Sequence, residues 1–176
     1  MSVQIGLLRG INVGGHRRLP MVELSDVLEG PGARDVRTYI QSGNVAYRGD
    51  LDQEDIADAI AAAKGFRPEV VVIPLESYGP VLAGNPFPEA EADPKALHLY
   101  FLASPSVAGE EAIAAAKGPG ERFVLTERVL YLHTPGYLTG SKLAPRLEHL
   151  LGVAATGRNW RSAQKILEMA EELAGM

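Results

Sequence analysis

The stretch LRGINVGGHRRLP, which runs from Leu8 to Pro20, contains residue types that suit phosphate binding. Gly10 and Gly15 are separated by four residues, as in a P-loop. That motif then needs lysine followed by serine or threonine, whereas this chain has His16 and Arg17. The stretch also lacks the GxGxxG spacing of dinucleotide-binding folds. Neither a nucleoside triphosphatase nor a dinucleotide site is therefore supported.

The same stretch still contains groups that can hold an anion. Gly14 and Gly15 allow main-chain N–H groups to approach a ligand, and Arg9 and Asn12 can donate hydrogen bonds to it. The alternative is that the two glycines only turn the chain and that Arg9 pairs with an acidic residue. The residues alone leave both interpretations open.

A second cluster of polar residues lies in RTYIQSGNVAYRG, between two predicted strands. Gly43 and Asn44 are ordinary hairpin residues because both tolerate positive φ. Gln41, Ser42 and Asn44 nevertheless place three hydrogen-bonding side chains on one short turn. We expect this turn either to close a hairpin only, or to contribute in addition to a ligand site.

Two predicted helix starts in the C-terminal part could also hold an anion. Ser141 and Lys142 open one helix, where serine caps N–H groups and a bound anion is favourable. Asn159 is the predicted cap of the last helix, and Arg158 before it can grip a phosphate or carboxylate with two hydrogen bonds. The alternative for these residues is a structural role only.

Charge is unevenly distributed along the chain. The formal net charge of −5 argues against a general nucleic-acid binder. Residues 1–20 and 141–165 together hold eight basic residues and one acidic residue, and the remainder holds nine basic and 21 acidic residues. If the two segments meet, they form a positive pocket that favours a small anion over a long polyanion. Otherwise the pattern reflects helix ends and solvated faces.

The composition disfavours several other kinds of chemistry. The chain has no cysteine, and none of its four histidines has zinc-ligand spacing, so no metal site is expected. No apolar run approaches the roughly 18 residues that cross a bilayer, and we expect a cytoplasmic protein without membrane association. No histidine lies beside an obvious nucleophile and no carboxylate pair marks an acid–base couple. Catalysis, cofactor and oligomeric state stay open.

The elements that must position these residues occur in the same order twice. Strands are predicted at 3–8, 36–41, 45–47 and 69–73, with helices at 20–29, 52–64 and 75–82. The second half has a strand at 97–102, a helix at 106–117, a hairpin at 123–133, a helix at 141–151, an extended piece and a helix from Asn159. This order predicts an α+β fold of two ferredoxin-like (βαββαβ) subdomains that arose by duplication, with antiparallel sheets and helices on one face.

The predicted boundary between the halves lies in GNPFPEAEADP, where prolines and acidic residues replace any periodic pattern. We therefore expect an N-terminal subdomain at residues 1–84, a linker at 85–95 and a C-terminal subdomain at 96–176. The last of these includes the final helix.

Several strings occur together along the chain, among them LRGINVGG, VRTYIQSGNV, NPFPEA, GPGERF, SKL and GRNW. In this order they closely resemble an uncharacterised bacterial family, domain of unknown function 1697, over nearly the whole chain. The resemblance implies two ferredoxin-like subdomains and no established activity, substrate or cofactor. It also implies a set of recurrent polar positions, with His16 where relatives typically carry lysine. That set falls on Arg9, Asn12, Gly14, Gly15, Gln41, Ser42, Gly43, Asn44, Asn85, Ser141, Lys142, Arg158, Asn159 and Trp160.

The leading hypothesis is binding of a small anionic, phosphate-bearing ligand such as a nucleotide or sugar phosphate. The charged donors would be Arg9, Lys142 and Arg158. The residues that direct the ligand would be Asn12, Ser42, Asn44 and Ser141, while the glycines would allow close main-chain approach.

The rival hypothesis is single-stranded RNA or DNA binding, because ferredoxin-like sheets can offer aromatic rings for base stacking. The candidate rings are Tyr39, Tyr47, His98, Tyr100, Tyr131 and His133. Against it, the aromatic content is only 6% and no segment matches the RNP motif. A protein-interaction module is a third alternative that no sequence feature isolates.

Overall fold

Eight strands and six α-helices make up the regular structure of the described residues, which are 2–107 and 109–176 of a computed structural model. The first seven elements are β1 (Val3–Arg9), α1 (Met21–Glu29), β2 (Arg34–Tyr39), β3 (Asn44–Arg48), α2 (Gln53–Lys64), β4 (Glu69–Pro74) and α3 (Leu75–Ala83). The others are β5 (Leu97–Leu102), α4 (Glu110–Ala116), β6 (Arg122–Leu125), β7 (Val129–His133), α5 (Leu147–Leu151), β8 (Ala155–Asn159) and α6 (Trp160–Ala174).

The strand orders show an internal repeat. One sheet has the order β2-β3-β1-β4 and the other has the order β6-β7-β5-β8, and all neighbouring strands are antiparallel. In both, the first strand of the half lies in the centre between the third and fourth strands, which is the ferredoxin-like arrangement. The predicted α+β duplication is therefore confirmed.

The chain divides into two compact units, one of residues 1–80 with 164–176 and one of residues 81–163. The segment expected to be a linker lies in the second unit, where Phe87 is buried and the Asn85 side chain accepts a 3.0 Å hydrogen bond from the Phe87 N–H. The proline-rich composition of the segment gave no indication of these packing and hydrogen-bond contacts. Residues 164–176, expected in the C-terminal subdomain, belong to the first unit, where Arg48 donates a 2.5 Å hydrogen bond to the Leu173 carbonyl.

The first unit buries the apolar faces of α1 and α2 in one core. Its buried members include Leu8, Leu24, Leu28, Val45, Tyr47, Ile56 and Ile60. Helix α2 begins at Asp52, whose side chain accepts the Asp55 N–H while the Asp55 side chain accepts the Asp52 N–H. It ends at Gly65, where φ is +81°. This reciprocal capping and the left-handed glycine explain why α2 begins and ends where the sequence predicts.

The second unit has shorter helices than expected. The helix predicted at 141–151 is a 3-10 turn at Ala144–Arg146 followed by α5. Pro145 has no N–H and restricts the residue before it, so a regular helix begins only beyond it. Helix α4 begins at Glu110 rather than at Ser106, and Ala108 of the predicted segment lies outside the described residues.

Candidate functional site

The Gly14–Gly15 pair forms a tight hairpin turn rather than a phosphate loop that enters a helix. The φ angles are +58° at Gly14 and +77° at Gly15, and the His16 N–H donates a 2.9 Å hydrogen bond to the Val13 carbonyl. Positive φ at both central residues is the type I′ geometry of two-residue hairpins. The glycines are exposed at the tip, and the N–H of His16 is already used within the turn.

Asn12 fixes this loop to the rest of the first unit. Its Nδ2 donates 2.8 Å hydrogen bonds to the carbonyl oxygens of Leu19 and Gln41, and its Oδ1 accepts the Leu19 N–H at 2.7 Å. Its own N–H donates to the Arg17 carbonyl at 3.1 Å. Both Nδ2 hydrogens are therefore used, so Asn12 positions the loop and is not available to donate to a ligand.

Gly43 brings the β2–β3 turn against the end of β1. Its φ is +93°, and a Cβ there would lie 2.7 Å from Leu8 Cβ and 2.9 Å from Ile11 Cδ1. The Leu8 N–H also donates a 2.8 Å hydrogen bond to the Gly43 carbonyl. Only glycine fits at this position, both for backbone conformation and for space.

Asn44 is fully buried and stabilises the same turn from inside. Its Nδ2 donates to the Tyr39 carbonyl at 2.9 Å and to Ser42 Oγ at 3.1 Å. The side chains of Gln41 and Ser42 are exposed. We call residues 9–18 together with residues 40–42 the loop–turn surface. The structure thus brings two of the predicted polar segments together in the first unit.

The positive charge of this surface comes chiefly from its exposed tip. His16, Arg17 and Arg18 are exposed, and the Arg17 guanidinium lies 5.7 Å from the centre of the Phe66 ring, at cation–π distance. Arg9 is half-buried and lies directly opposite Glu69 in the β1–β4 register. A neighbouring carboxylate therefore offsets part of the charge that the sequence assigned to Arg9.

Backbone strain is concentrated at the loop–turn surface. Among the described residues, five that are not glycine have positive φ, and three of them are Asn12, Arg17 and Ile40. Left-handed conformation is uncommon for arginine and unfavourable for a β-branched residue. Such strain persists only where surrounding contacts impose it, and it is frequent at binding sites.

In the second unit a carboxylate of the protein itself occupies the position where an anion was predicted. Glu121 is buried, its Oε1 accepts the Lys142 N–H at 2.6 Å, and its Oε2 accepts the Ser141 hydroxyl at 3.2 Å. The Ala144 N–H in turn donates to Ser141 Oγ at 2.9 Å. Ser141 therefore caps the turn as expected. Glu121 was missed because it lies 20 residues earlier in the chain and nothing local marks it.

Arg158 and Asn159 also have partners inside the second unit. Asn159 Oδ1 accepts the Ser162 N–H at 2.9 Å, which is the predicted cap of α6. Arg158 is buried, and its Nη1 donates to the Gly157 carbonyl at 2.9 Å. Arg158 lies opposite Leu99 in the β5–β8 register.

The Ser141 cap and Arg158 lie on opposite faces of the second sheet. Tyr100 lies opposite Gly157, and successive residues of a strand point to opposite faces, so Arg158 points away from the face that Tyr100 occupies. Tyr100 packs against the core that contains Leu143 and Ala144, the residues that follow the Ser141 cap, so the cap lies on the Tyr100 face. These two predicted ligand groups therefore do not converge within the second unit.

His98 and Tyr100 are two titratable residues that the sequence indicated only as candidate rings for base stacking. His98 is 8% exposed and its Nδ1 has no hydrogen-bond partner among the described residues. Burial lowers the pKa of His98 to about 4, so the ring is neutral at pH 7. Burial, followed by the charge of Glu121, raises the pKa of Tyr100 to about 12. The two ring centres are 6.4 Å apart.

Arg122 joins β6, β7 and the segment before β5. Its Nη2 lies 2.9 Å from His133 Nδ1 and 2.5 Å from Glu89 Oε1, and its guanidinium lies 4.6 Å from the centre of the Phe87 ring. Burial and the Arg122 charge lower the pKa of His133, and the hydrogen bond from Arg122 lowers the pKa of Glu89. This cluster uses His133 as a structural acceptor.

The aromatic rings proposed for base stacking do not form an open platform in the described residues. Tyr47 is buried and its hydroxyl donates to the Leu51 carbonyl at 2.5 Å, and Tyr131 is buried and donates to the Val81 carbonyl at 2.9 Å. His98 is buried as well. Stacking of nucleic-acid bases needs exposed ring faces, so these positions give the RNA or DNA hypothesis no support.

The described part of the chain contains no group of three or more histidine, cysteine, aspartate or glutamate residues placed to hold a metal ion. None of the helices within residues 2–107 and 109–176 has the length and apolar character that crossing a membrane requires.

Comparison with known proteins identifies the family. The conserved bacterial protein SP0830 from Streptococcus pneumoniae has the same fold, with a TM-score of 0.69 and 18% identity over 96% of this chain and 98% of that chain. No curated protein matches the sequence. The family described as protein of unknown function (DUF1697) matches residues 1–131, which is most of the chain. As the strings LRGINVGG, VRTYIQSGNV and GRNW predicted, the chain belongs to the DUF1697 family.

Proposed function

We propose that the protein binds a small phosphate-bearing ligand, a nucleotide or a sugar phosphate, at the loop–turn surface of the first unit. The observation that carries the proposal is the Asn12 side-chain amide, which donates to the Gln41 carbonyl at 2.8 Å and to the Leu19 carbonyl at the same distance. Because of this link, the basic loop and the polar turn lie side by side at one end of the sheet.

The charges of this surface suit a compact anion. Arg17 and Arg18 are exposed at its tip, and residues 1–20 contain no acidic residue. Guanidinium groups form short, charge-assisted hydrogen bonds with phosphate oxygens. The chain outside the two basic segments is acidic, and its charge repels a long polyanion more strongly than a single phosphate group.

The loop–turn surface is also organised before any ligand binds. The Asn12 side chain holds the loop by hydrogen bonds to the carbonyl and the N–H of Leu19. Gly43 lets the turn pack on Leu8 and Ile11. A surface with a fixed backbone loses less conformational entropy on binding than a mobile loop does. This supports a binding function. The proposal includes no reaction, and it places the protein in the cytoplasm, where such phosphate compounds are made and used.

The ligand residues predicted in the second unit form hydrogen bonds within the protein. Ser141 and the Lys142 N–H bind Glu121, Asn159 caps α6, and Arg158 donates to the Gly157 carbonyl. Since these contacts are internal, the proposal rests on the first unit.

The test is a thermal-shift and calorimetric comparison of inorganic phosphate, ribose 5-phosphate and AMP. A ligand at about 100 times its Kd stabilises the folded protein by about 2.7 kcal/mol, which raises Tm by roughly 5 to 10 °C for a chain of this length. We expect the double variant Arg17→Gln with Arg18→Gln to weaken binding by at least about tenfold, because two charge-assisted contacts are lost.

The matched control is the double variant Lys117→Gln with Arg128→Gln, which removes the same charge from two exposed positions of the second unit. It should leave affinity within about twofold of the wild type, because neither residue belongs to the loop–turn surface and the effect of net charge alone is screened by salt. Equal losses in the two double variants would contradict the proposal. So would a wild-type protein that binds none of the three compounds.

A further inference from the structure

We infer that the ligand of the loop–turn surface is a mononucleotide, whose base lies on Val13 and Ile40 and whose polar edge is read by Gln41. The inference rests on the proposed function and names its ligand class.

Ile40 is an apolar residue in an unfavourable position. It has a φ of +51° and its side chain is 48% exposed. A β-branched residue is sterically disfavoured in left-handed conformation, and glycine or asparagine is normally found there. Burial does not compensate for this cost, because half of the side chain faces solvent. A ligand with an apolar face would bury the exposed part of the Ile40 side chain.

Val13 provides a second exposed apolar side chain on the loop–turn surface. It is 64% exposed and follows Asn12, while Ile40 precedes Gln41. Since Asn12 Nδ2 lies 2.8 Å from the Gln41 carbonyl oxygen, the two apolar residues flank a hydrogen-bonded pair. The loop–turn surface therefore carries both apolar side chains and guanidinium groups. A nucleotide presents both a flat apolar base and a phosphate, whereas a sugar phosphate has no apolar face.

The Gln41 side chain is available to recognise the base. Its main-chain carbonyl accepts the Asn12 hydrogen bond, but its exposed side-chain amide has no hydrogen-bond partner among the described residues. A side-chain amide offers donors and an acceptor side by side, and this pair matches the edge of a base such as adenine. Gln41 is thus placed to choose between bases, while the arginines bind the phosphate that all nucleotides share.

The experiment measures the affinities of AMP, GMP, CMP, UMP, ribose 5-phosphate and inorganic phosphate by calorimetry at one salt concentration. We expect at least one nucleotide to bind about tenfold more tightly than ribose 5-phosphate, since the base adds an apolar contact. The variant Ile40→Gly removes the side chain and suits the left-handed backbone, so it should fold. It should weaken nucleotide binding by about tenfold and leave ribose 5-phosphate within about twofold.

Two more variants make the test specific. Val124→Ala shortens an exposed apolar side chain of the second unit and should change no affinity. Gln41→Ala should reduce the differences among the four nucleotides. If ribose 5-phosphate binds as tightly as every nucleotide, or if Ile40→Gly weakens all compounds equally, the inference is wrong and the proposed function stands. Binding of a longer oligonucleotide in strong preference to any mononucleotide would also overturn it. If the wild type binds no phosphate compound, both fail.

Discussion

The side-chain nitrogen of Asn12 lies 2.8 Å from the carbonyl oxygen of Gln41 and joins two segments that are 29 positions apart in the chain. This hydrogen bond makes a loop and a turn into one surface. The side chain that the sequence identified as a ligand group instead holds the other ligand candidates in place.

Asn12→Ala should lower the free energy of unfolding by about 2 kcal/mol, because it removes three side-chain hydrogen bonds. Alanine also has no polar side chain to offset the strain of the positive φ at this position. Urea denaturation measures the change. Asn12→Gly is the matched variant, since glycine accepts the backbone conformation and isolates the hydrogen-bond loss. A change below about 0.5 kcal/mol in both variants would contradict the assigned role.

Gly43→Ala should destabilise the protein by more than about 2 kcal/mol, because the added Cβ would lie 2.7 Å from Leu8 Cβ and φ is positive. Gly15→Ala is the comparison, because its φ is also positive but no atom lies within 4 Å of its Cβ position. It should cost only about 1 kcal/mol. Thermal unfolding of both variants measures the difference, and equal costs would show that the close packing at Gly43 is not important.

Glu121→Gln should lower the pKa of Tyr100, because the carboxylate charge disfavours the phenolate and the variant removes that charge. The pKa should remain above the ordinary value of 10.0, since burial is the larger cause of the shift. Ultraviolet titration of the wild type and the variant measures it. Glu121→Asp keeps the charge and serves as the control. An unchanged Tyr100 titration in Glu121→Gln would show that the two groups do not interact.

His98 should make stability depend on pH between its unfolded and folded pKa values. The folded pKa is lowered from 6.5 to about 4, so the unfolded state binds a proton first as the pH falls. The neutral ring contributes fully to the free energy of unfolding above about pH 6.5, and this contribution is lost as the pH falls towards 4. The loss is on the order of 3 kcal/mol. Urea denaturation across this range measures it. His98→Gln should have a flatter curve, and parallel curves would exclude the buried histidine as the cause.

Local patterns in the sequence determined the elements and their order. The helix predicted at 52–64 corresponds to α2 at Gln53–Lys64, and the Asn159 cap precedes α6 as expected. The strand–helix–hairpin order is enough to predict two ferredoxin-like halves, because few topologies connect such elements without crossing. These signals involve residues close together in the chain, and they can be interpreted without the fold.

Tertiary structure decided what each polar residue contacts. Glu121 binds the Ser141 turn, and Arg158 points to the other face of its sheet from Tyr100. Residues 164–176 belong to the first unit. The sequence selected Asn12 and Gln41 as polar candidates, but it could not show that one binds the main chain of the other. The physical reason is that hydrogen bonds and strand register depend on packing between segments far apart in the chain, whereas propensity and periodicity act over a few residues.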